Sequence, residues 1–201
     1  MPTIIDCIQG SDEWFAARLG KVTASEFHEV LNRKSGRKTY MYKLAAERLT
    51  GIPQNGYSNA VMERGKELES EAREYYSILL GRDIAQVGFV EYSEWIGASP
   101  DGFVGDDGLV EAKCPNSTTH IINLVKNSMP PQYIPQVQGL LWVTGHLWCD
   151  FISYDPRMVN RPFFCIRITR DEEYILNLQM ETEKFINELK ELISKVKAAT
   201  F

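Results

Sequence analysis

The hydrophobic repeat of this chain switches from helical to strand-like in its middle, and that switch constrains the fold more than any other feature. Up to Gly81 the apolar residues recur at helical spacing. Met62, Leu68, Ala72 and Tyr75 or Tyr76 fall near one face of a helix expected over 58–80, which Gly81 ends. Upstream, a Ser11/Asp12 cap opens a helical region over 12–31, split into two helices by Gly20, Val22 and Thr23. The run RKSGRK at 33–38 reads as an exposed loop, followed by a helix over 40–49. From Ile84 the period becomes two. Segments 84–92, 96–100 and 109–113 read as short strands joined by turns at Gly102 and Gly105-Asp106-Asp107-Gly108, the pattern of an antiparallel meander. Helices over 118–126 and 133–143 flank the breaker Pro130-Pro131, and strands follow at 147–154 and 163–169. In 171–197, Ile175, Leu178, Thr182, Phe185, Leu189, Leu192 and Val196 alternate by threes and fours. That is a long amphipathic helix, expected to pack on the chain's own sheet rather than on a partner helix. This order of elements specifies an α/β (α+β) chain: a mixed central sheet flanked by helices, with an N-terminal helical region and a long C-terminal helix.

Length and composition narrow the class further. At 201 residues, 44% hydrophobic and 24% charged, the chain fits one compact domain spanning 1–201. It has no apolar run of membrane-spanning length and no signal-peptide pattern at its start, so the expected compartment is the cytoplasm. Cys7, Cys114, Cys149 and Cys165 form no C-x-x-C pair, which suggests buried free thiols rather than a zinc site or disulfides. The net charge of −5 argues against a general nucleic-acid coat. Between Trp14 and Thr50, however, eight Lys or Arg stand against three Asp or Glu. An acidic whole with a basic stretch fits an enzyme that meets a polyanion through a metal, although the stretch alone fits a solvated loop equally well.

The chemistry is concentrated in Ser99-Pro100-Asp101 and, ten residues after the aspartate, Glu111-Ala112-Lys113. A hairpin would converge the Asp101 and Glu111 carboxylates. Period-two alternation turns Glu111 and Lys113 to one face and leaves the Ala112 carbonyl available. Two carboxylates, a carbonyl and waters form an all-oxygen shell suited to Mg²⁺, with Mn²⁺ as a substitute. A lysine beside such a metal can orient an attacking water and offset charge growing on a phosphate, which is the equipment for phosphodiester hydrolysis. Alone, either motif reads as a surface ion pair or an ordinary turn; at this spacing the pair favours a site.

Pro100-Asp101 with Glu111-Ala112-Lys113 resembles the PD-(D/E)xK nuclease superfamily, and the flanking sequence resembles the phage exonucleases of the lambda and YqaJ type. The resemblance is carried by QGSDEWFAARLGKVTAS at 9–25, RGKELESEAR at 64–73, ASPDG at 98–102, LVEAKCP at 109–115, PQVQGLLWVTG at 135–145 and YDPRM at 154–158. It implies a restriction-endonuclease-like core. It also implies that Asp101 and Glu111 ligate the metal with the Ala112 carbonyl, that Lys113 is the catalytic lysine, that Glu69 adds a carboxylate and that Gln136 steadies the scissile phosphate. Arg18, Ser25 and Ser99 would bind a terminal 5′ phosphate, a guanidinium and two hydroxyls suiting a phosphate dianion. Weaker transfers place Met62 in a wedge that parts the terminal base pair and Lys34 in an arch over the DNA, with Arg33, Arg37 and Trp14 as further DNA contacts.

The activity implied is Mg²⁺-dependent, processive 5′ to 3′ digestion of double-stranded DNA ends, releasing 5′-mononucleotides and leaving 3′ single strands for phage recombination. The partners implied are DNA ends, a phage single-strand annealing protein and two further copies of the chain in a homotrimeric ring, in the cytoplasm of a bacterial host. Some superfamily members carry a cysteine-bound iron-sulfur cluster, but the scattered cysteines here predict none. Two alternatives remain open: a structure- or site-specific endonuclease with the same metal site, and a noncatalytic DNA-end-binding module.

Overall fold

The computed structural model describes the backbone of residues 2–32, 34–54 and 60–199, with side chains for all of these except 60–67. Among the described residues, seven helices surround two four-stranded mixed sheets rather than the one central sheet expected. The first sheet takes the order β1 (Thr3–Ile5), β3 (Phe89–Ser93), β4 (Ile96–Ala98), β2 (Val22–Thr23), its last pair parallel. The second runs β5 (Gly102–Val104), β6 (Gly108–Lys113), β7 (Trp148–Tyr154), β8 (Phe163–Thr169), with β6 and β7 parallel.

The expected three-strand meander is therefore divided between two sheets. Pro100 supplies the reason. With no N–H it cannot extend a ladder beyond β4, and Gln9 Nε2 takes its carbonyl oxygen at 2.8 Å, so the chain leaves the first sheet across Ser99-Pro100-Asp101. Gly102 then opens β5 in close contact with the preceding loop: a Cβ there would lie 2.2 Å from Ile84 Cγ2 and 3.1 Å from the Ala85 carbonyl oxygen. The strand expected over 84–92 shrinks to β3 for a related reason. Ala85 makes only an isolated bridge to Phe103, and Val87 gives its carbonyl to Gln9 Nε2 at 2.9 Å instead of to a strand.

Helix α1 (Asp12–Arg18) begins where Ser11 Oγ accepts the Trp14 N–H, and α2 (Phe27–Leu31) follows a short 3₁₀ turn over Ala24–Glu26. Helix α3 (Ser35–Thr50) starts within the run expected to be a loop. It has no side-chain cap. Arg37 instead makes a two-pronged ion pair with Glu188 and lies over the Phe185 ring, so tertiary contact overrides the weak local propensity of Ser35 and Gly36. Gly36 lets the Glu29 carboxylate lie close over the helix start: a Cβ there would fall 2.0 Å from Glu29 Oε2 and push that side chain aside.

Helix α4 (Ala60–Leu80) ends where the Gly81 N–H meets the Ser77 carbonyl at 2.9 Å. It lies on β6 and β7, burying Ala72 and Tyr76 against Val110, Ala112 and Ile152; Tyr75 turns outward to Tyr154 and Phe163. Helix α5 (Ser117–Lys126), capped by Asn116, packs on β7 and β8. Helix α6 (Ile134–Thr144) is apolar nearly all round and touches β3 and β4 of the first sheet and β7 of the second, which makes it the element that joins them. Helix α7 (Glu172–Ala198) buries Ile175, Leu178, Phe185 and Leu189, but against α2, α3 and α6 rather than against a sheet. No described helix is long and apolar enough to cross a membrane.

The turn after β7 is held by a buried acid. Asp155 accepts from Ser117 Oγ at 2.6 Å and from Arg157 Nε and Nη2 at 2.7 and 2.8 Å. The Arg157 guanidinium, together with Ser117 and against the effect of burial, holds the Asp155 carboxyl well below its ordinary value of 3.8. A depressed folded-state value contributes stability that is present above 3.8 and lost as pH falls through the acid range. Asp155→Asn is expected to lower the melting temperature by roughly 5 °C at neutral pH. The difference from wild type should shrink as pH drops below 3.8. Parallel melting curves at all pH values would contradict this account.

Candidate active site

β5 is short, and its shortness builds the site. Its register with β6 pairs Gly102 with Val110, so the next step places Asp101 opposite Glu111 where the ladder has stopped. The Ala112 N–H, left without a strand partner on that edge, donates to Asp101 Oδ2 at 2.7 Å. Alternation along β6 sends Val110 and Ala112 toward α4 and Glu111 toward α6, where Gln136 Nε2 donates to Glu111 Oε1 at 2.5 Å. Lys113 Nζ reaches the same oxygen at 2.5 Å and lies 5.5 Å from the Tyr133 ring. Asp101, Glu111, Lys113 and Gln136 are thus brought together as expected, from the junction between the sheets, from β6 and from α6.

Their electrostatics are unfavourable without a further cation. Glu111 is 2% exposed, and burial, reinforced by the Asp101 and Glu69 carboxylates and opposed by the Lys113 ammonium, pushes its pKa up to about 8. Burial also raises Asp101, against Lys113, the Ala112 N–H and Arg73. Burial draws Lys113 down, but Glu111, Asp101 and Glu69 outweigh it and hold the ammonium above its ordinary value. Glu111 Oε2 is buried and has no hydrogen-bond partner. A carboxylate oxygen in that position is an uncompensated cost, and a hard divalent cation is the group that would relieve it. Among the described residues no cluster of three or more His, Cys, Asp or Glu side chains gathers as a metal cage. The donor set that fits is therefore two carboxylates plus backbone oxygen and water, the sparse set that Mg²⁺ tolerates.

Asp101 opens onto a cleft of about 600 Å³ that Glu69 and Arg73 of α4 also line, with Gln9 and Trp14 on its opposite rim. Beside it, Arg18 Nη1 donates to Ser99 Oγ at 3.1 Å and Nη2 to Thr23 Oγ1 at 3.3 Å, while the Thr23 and Ser25 hydroxyls lie 3.3 Å apart. Trp14 Nε1 donates to Ser99 at 2.8 Å, and its ring lies 4.2 Å beneath the Arg18 guanidinium. The expected trio of Arg18, Ser25 and Ser99 is gathered, and Trp14 joins it. Sequence reasoning missed Thr23 and Gln9; the signal for Thr23 was its place two residues before Ser25, but nothing local marked Gln9, whose bonds span more than seventy residues.

The basic stretch divides. Lys21 pairs with Glu91 at 3.1 Å and Arg48 with Glu94 at 3.0 Å, while Arg37 is tied to Glu188, so these three serve packing. Lys34 is exposed at the start of α3. Arg33 and the Met62 side chain lie outside the described residues.

A mixed-sheet core with an acidic pair and a lysine at a strand end is the arrangement that the resemblance to the PD-(D/E)xK class implied. The chain belongs to the YqaJ-like viral recombinase domain family, whose model matches residues 13–147. It is similar over 93% of its length to an alkaline exonuclease, LHK-Exo, from Laribacter hongkongensis, at 44% identity, with 96% of that chain covered and a TM-score of 0.89. A structure of LHK-Exo in complex with dAMP matches equally well, at 45% identity and a TM-score of 0.89 over the same shares. A phage-related exonuclease from Haemophilus somnus 129PT shares the fold, with a TM-score of 0.69 at 19% identity over 88% of this chain and 96% of that one. The ExoD protein of Escherichia coli (strain K12) is 31% identical over 64 residues, 32% of this chain and 74% of that one.

Proposed function

We propose that the chain is a Mg²⁺-dependent deoxyribonuclease that digests double-stranded DNA ends from 5′ to 3′, releases 5′-mononucleotides and leaves 3′ single strands for recombination by strand annealing. The observation that carries this reading is the buried, unpartnered Glu111 Oε2 between Asp101 and Lys113. Membership of the viral recombinase family and likeness to an alkaline exonuclease support it. Asp101, Glu111 and the Ala112 carbonyl would hold Mg²⁺, or Mn²⁺ in its place, and the metal would supply a water of lowered pKa and charge neutralisation at the phosphate. Lys113 keeps its proton, so it acts as a fixed cation that orients the attacking water and offsets charge on the phosphate; Gln136 holds Glu111 in place and presents its amide to the same region. Glu69 adds a carboxylate from α4.

Arg18, Ser25 and Ser99 would hold the terminal 5′ phosphate, with Thr23 and Trp14 orienting them. Burial draws the Arg18 pKa below its ordinary value, yet a guanidinium that starts so high stays charged. The proposal extends to one nuclease domain over 1–201, a homotrimeric ring that confers processivity by encirclement, a phage annealing protein as partner and the bacterial cytoplasm as its place of work. The test is digestion of end-labelled linear and closed circular duplex with Mg²⁺, with and without a 5′ phosphate. Linear DNA should be consumed from its 5′ ends and circular DNA spared; cutting of the circle would replace the exonuclease by an endonuclease. Arg18→Ala should erase the preference for the phosphorylated end, a loss of roughly 10- to 100-fold in that preference. An unchanged preference would remove Arg18 from the pocket.

A further inference from the structure

Arg73 stands four residues, about one helical turn, after Glu69 on α4, and both line the cleft onto which Asp101 opens. The described residues lining this cleft include the acids Asp6, Glu69 and Asp101, and Arg73 is their one cation. Lys113 is committed to Glu111 at 2.5 Å, and Arg18 to Ser99 and Thr23. No hydrogen bond or ion pair among the described residues engages the Arg73 guanidinium, though its charge does draw the Asp101 carboxyl down. A polyanion entering a cleft with this excess of carboxylates meets repulsion unless a donor fork faces it. The volume, about 600 Å³, is that of a site for a nucleotide-sized ligand.

We propose that Arg73 is a phosphate-binding residue of this cleft, its planar guanidinium taking two non-bridging oxygens of the scissile backbone phosphate that lies against Asp101 and, once the bond to the 3′ oxygen of the released nucleotide has broken, of that same phosphate as the new 5′ end of the shortened strand. This rests on the nuclease reading above and adds a substrate contact to it. A fork of this kind gives bidentate recognition that lysine cannot reproduce.

The experiment pairs steady-state digestion of 5′-phosphorylated duplex with metal-free calorimetric binding of that duplex and of the same duplex carrying an uncharged methylphosphonate at its first internal linkage, for wild type, Arg73→Gln and Arg73→Lys. Arg73→Gln should lose roughly 100-fold in kcat/KM and Arg73→Lys roughly tenfold. Binding of the all-phosphate duplex should weaken at least about tenfold in Arg73→Gln while binding of the methylphosphonate duplex, which offers no charged oxygens there, is unchanged, a contrast that a merely structural role would not produce. The preference for a phosphorylated end should persist in both variants, because Arg18 is intact. Wild-type binding of the all-phosphate duplex by both variants overturns the assignment. Should wild type leave linear DNA uncut, the nuclease reading falls, and the binding arm still decides on Arg73. Should Arg73→Gln fail to fold, the Arg73→Lys comparison decides.

Discussion

Glu111→Ala is expected to lower the cleavage rate by at least about three orders of magnitude, and Asp101→Ala to do the same, because each removes half of the proposed carboxylate pair. The effect on folding should run the other way. Glu111 is a nearly fully buried acid whose charged form is disfavoured by burial and by two neighbouring carboxylates, and one of its oxygens has no partner. Its removal leaves a cavity but ends that cost. The melting temperature in metal-free buffer near pH 8 should therefore stay close to that of wild type. Added Mg²⁺ should raise the melting temperature of wild type and not of the variant, since a ligand that binds only the folded state stabilises it. Wild-type turnover by either variant would remove the site, and an equal Mg²⁺-induced shift in both proteins would place the cation elsewhere.

Asp150→Ala is expected to be strongly destabilising, at about 2–3 kcal/mol. Asp150 is 3% exposed, in the middle of β7. It accepts the Tyr76 hydroxyl at 2.7 Å and two bonds from Arg167 at 2.8 Å, with Arg82 at 3.5 Å. Its loss strands a buried hydroxyl and releases two half-exposed guanidiniums to solvent. Tyr76→Phe, which deletes one neutral donor, should cost only about 1 kcal/mol. Denaturant unfolding of both variants checks the contrast, and equal midpoints would show that the carboxylate is not the hub. Tyr76 lies seven residues from Glu69 on the same face of α4, so activity in Tyr76→Phe also reports how firmly the helix must be seated.

Local signals in the sequence were read well where they were local in cause. Ser11 caps the helix it precedes, and the threes and fours from Ile175 to Leu189 mark the buried face of α7. The pair Asp101 and Glu111 was legible because a hairpin of fixed length brings them together. What escaped had distant causes. The start of α3 depends on Glu188, 151 residues away, and the division of the strands depends on Gln9 gripping Val87 and Pro100. The partner of α7 was misjudged because an amphipathic stripe records that a face is covered and not by what. β5, three residues long, lies below the length at which alternation can be told from a turn.

The crossing Ser99-Pro100-Asp101 ties two duties to one short rod. On the proposed reading Ser99 grips the end of a strand and Asp101 marks where it is cut, and two residues of backbone can span at most about 7 Å. Pro100 stiffens that interval, and Gln9 bolts it to the frame. The size of the fragment released would then be a property of the backbone itself, a ruler one unit long that no change in DNA sequence can stretch.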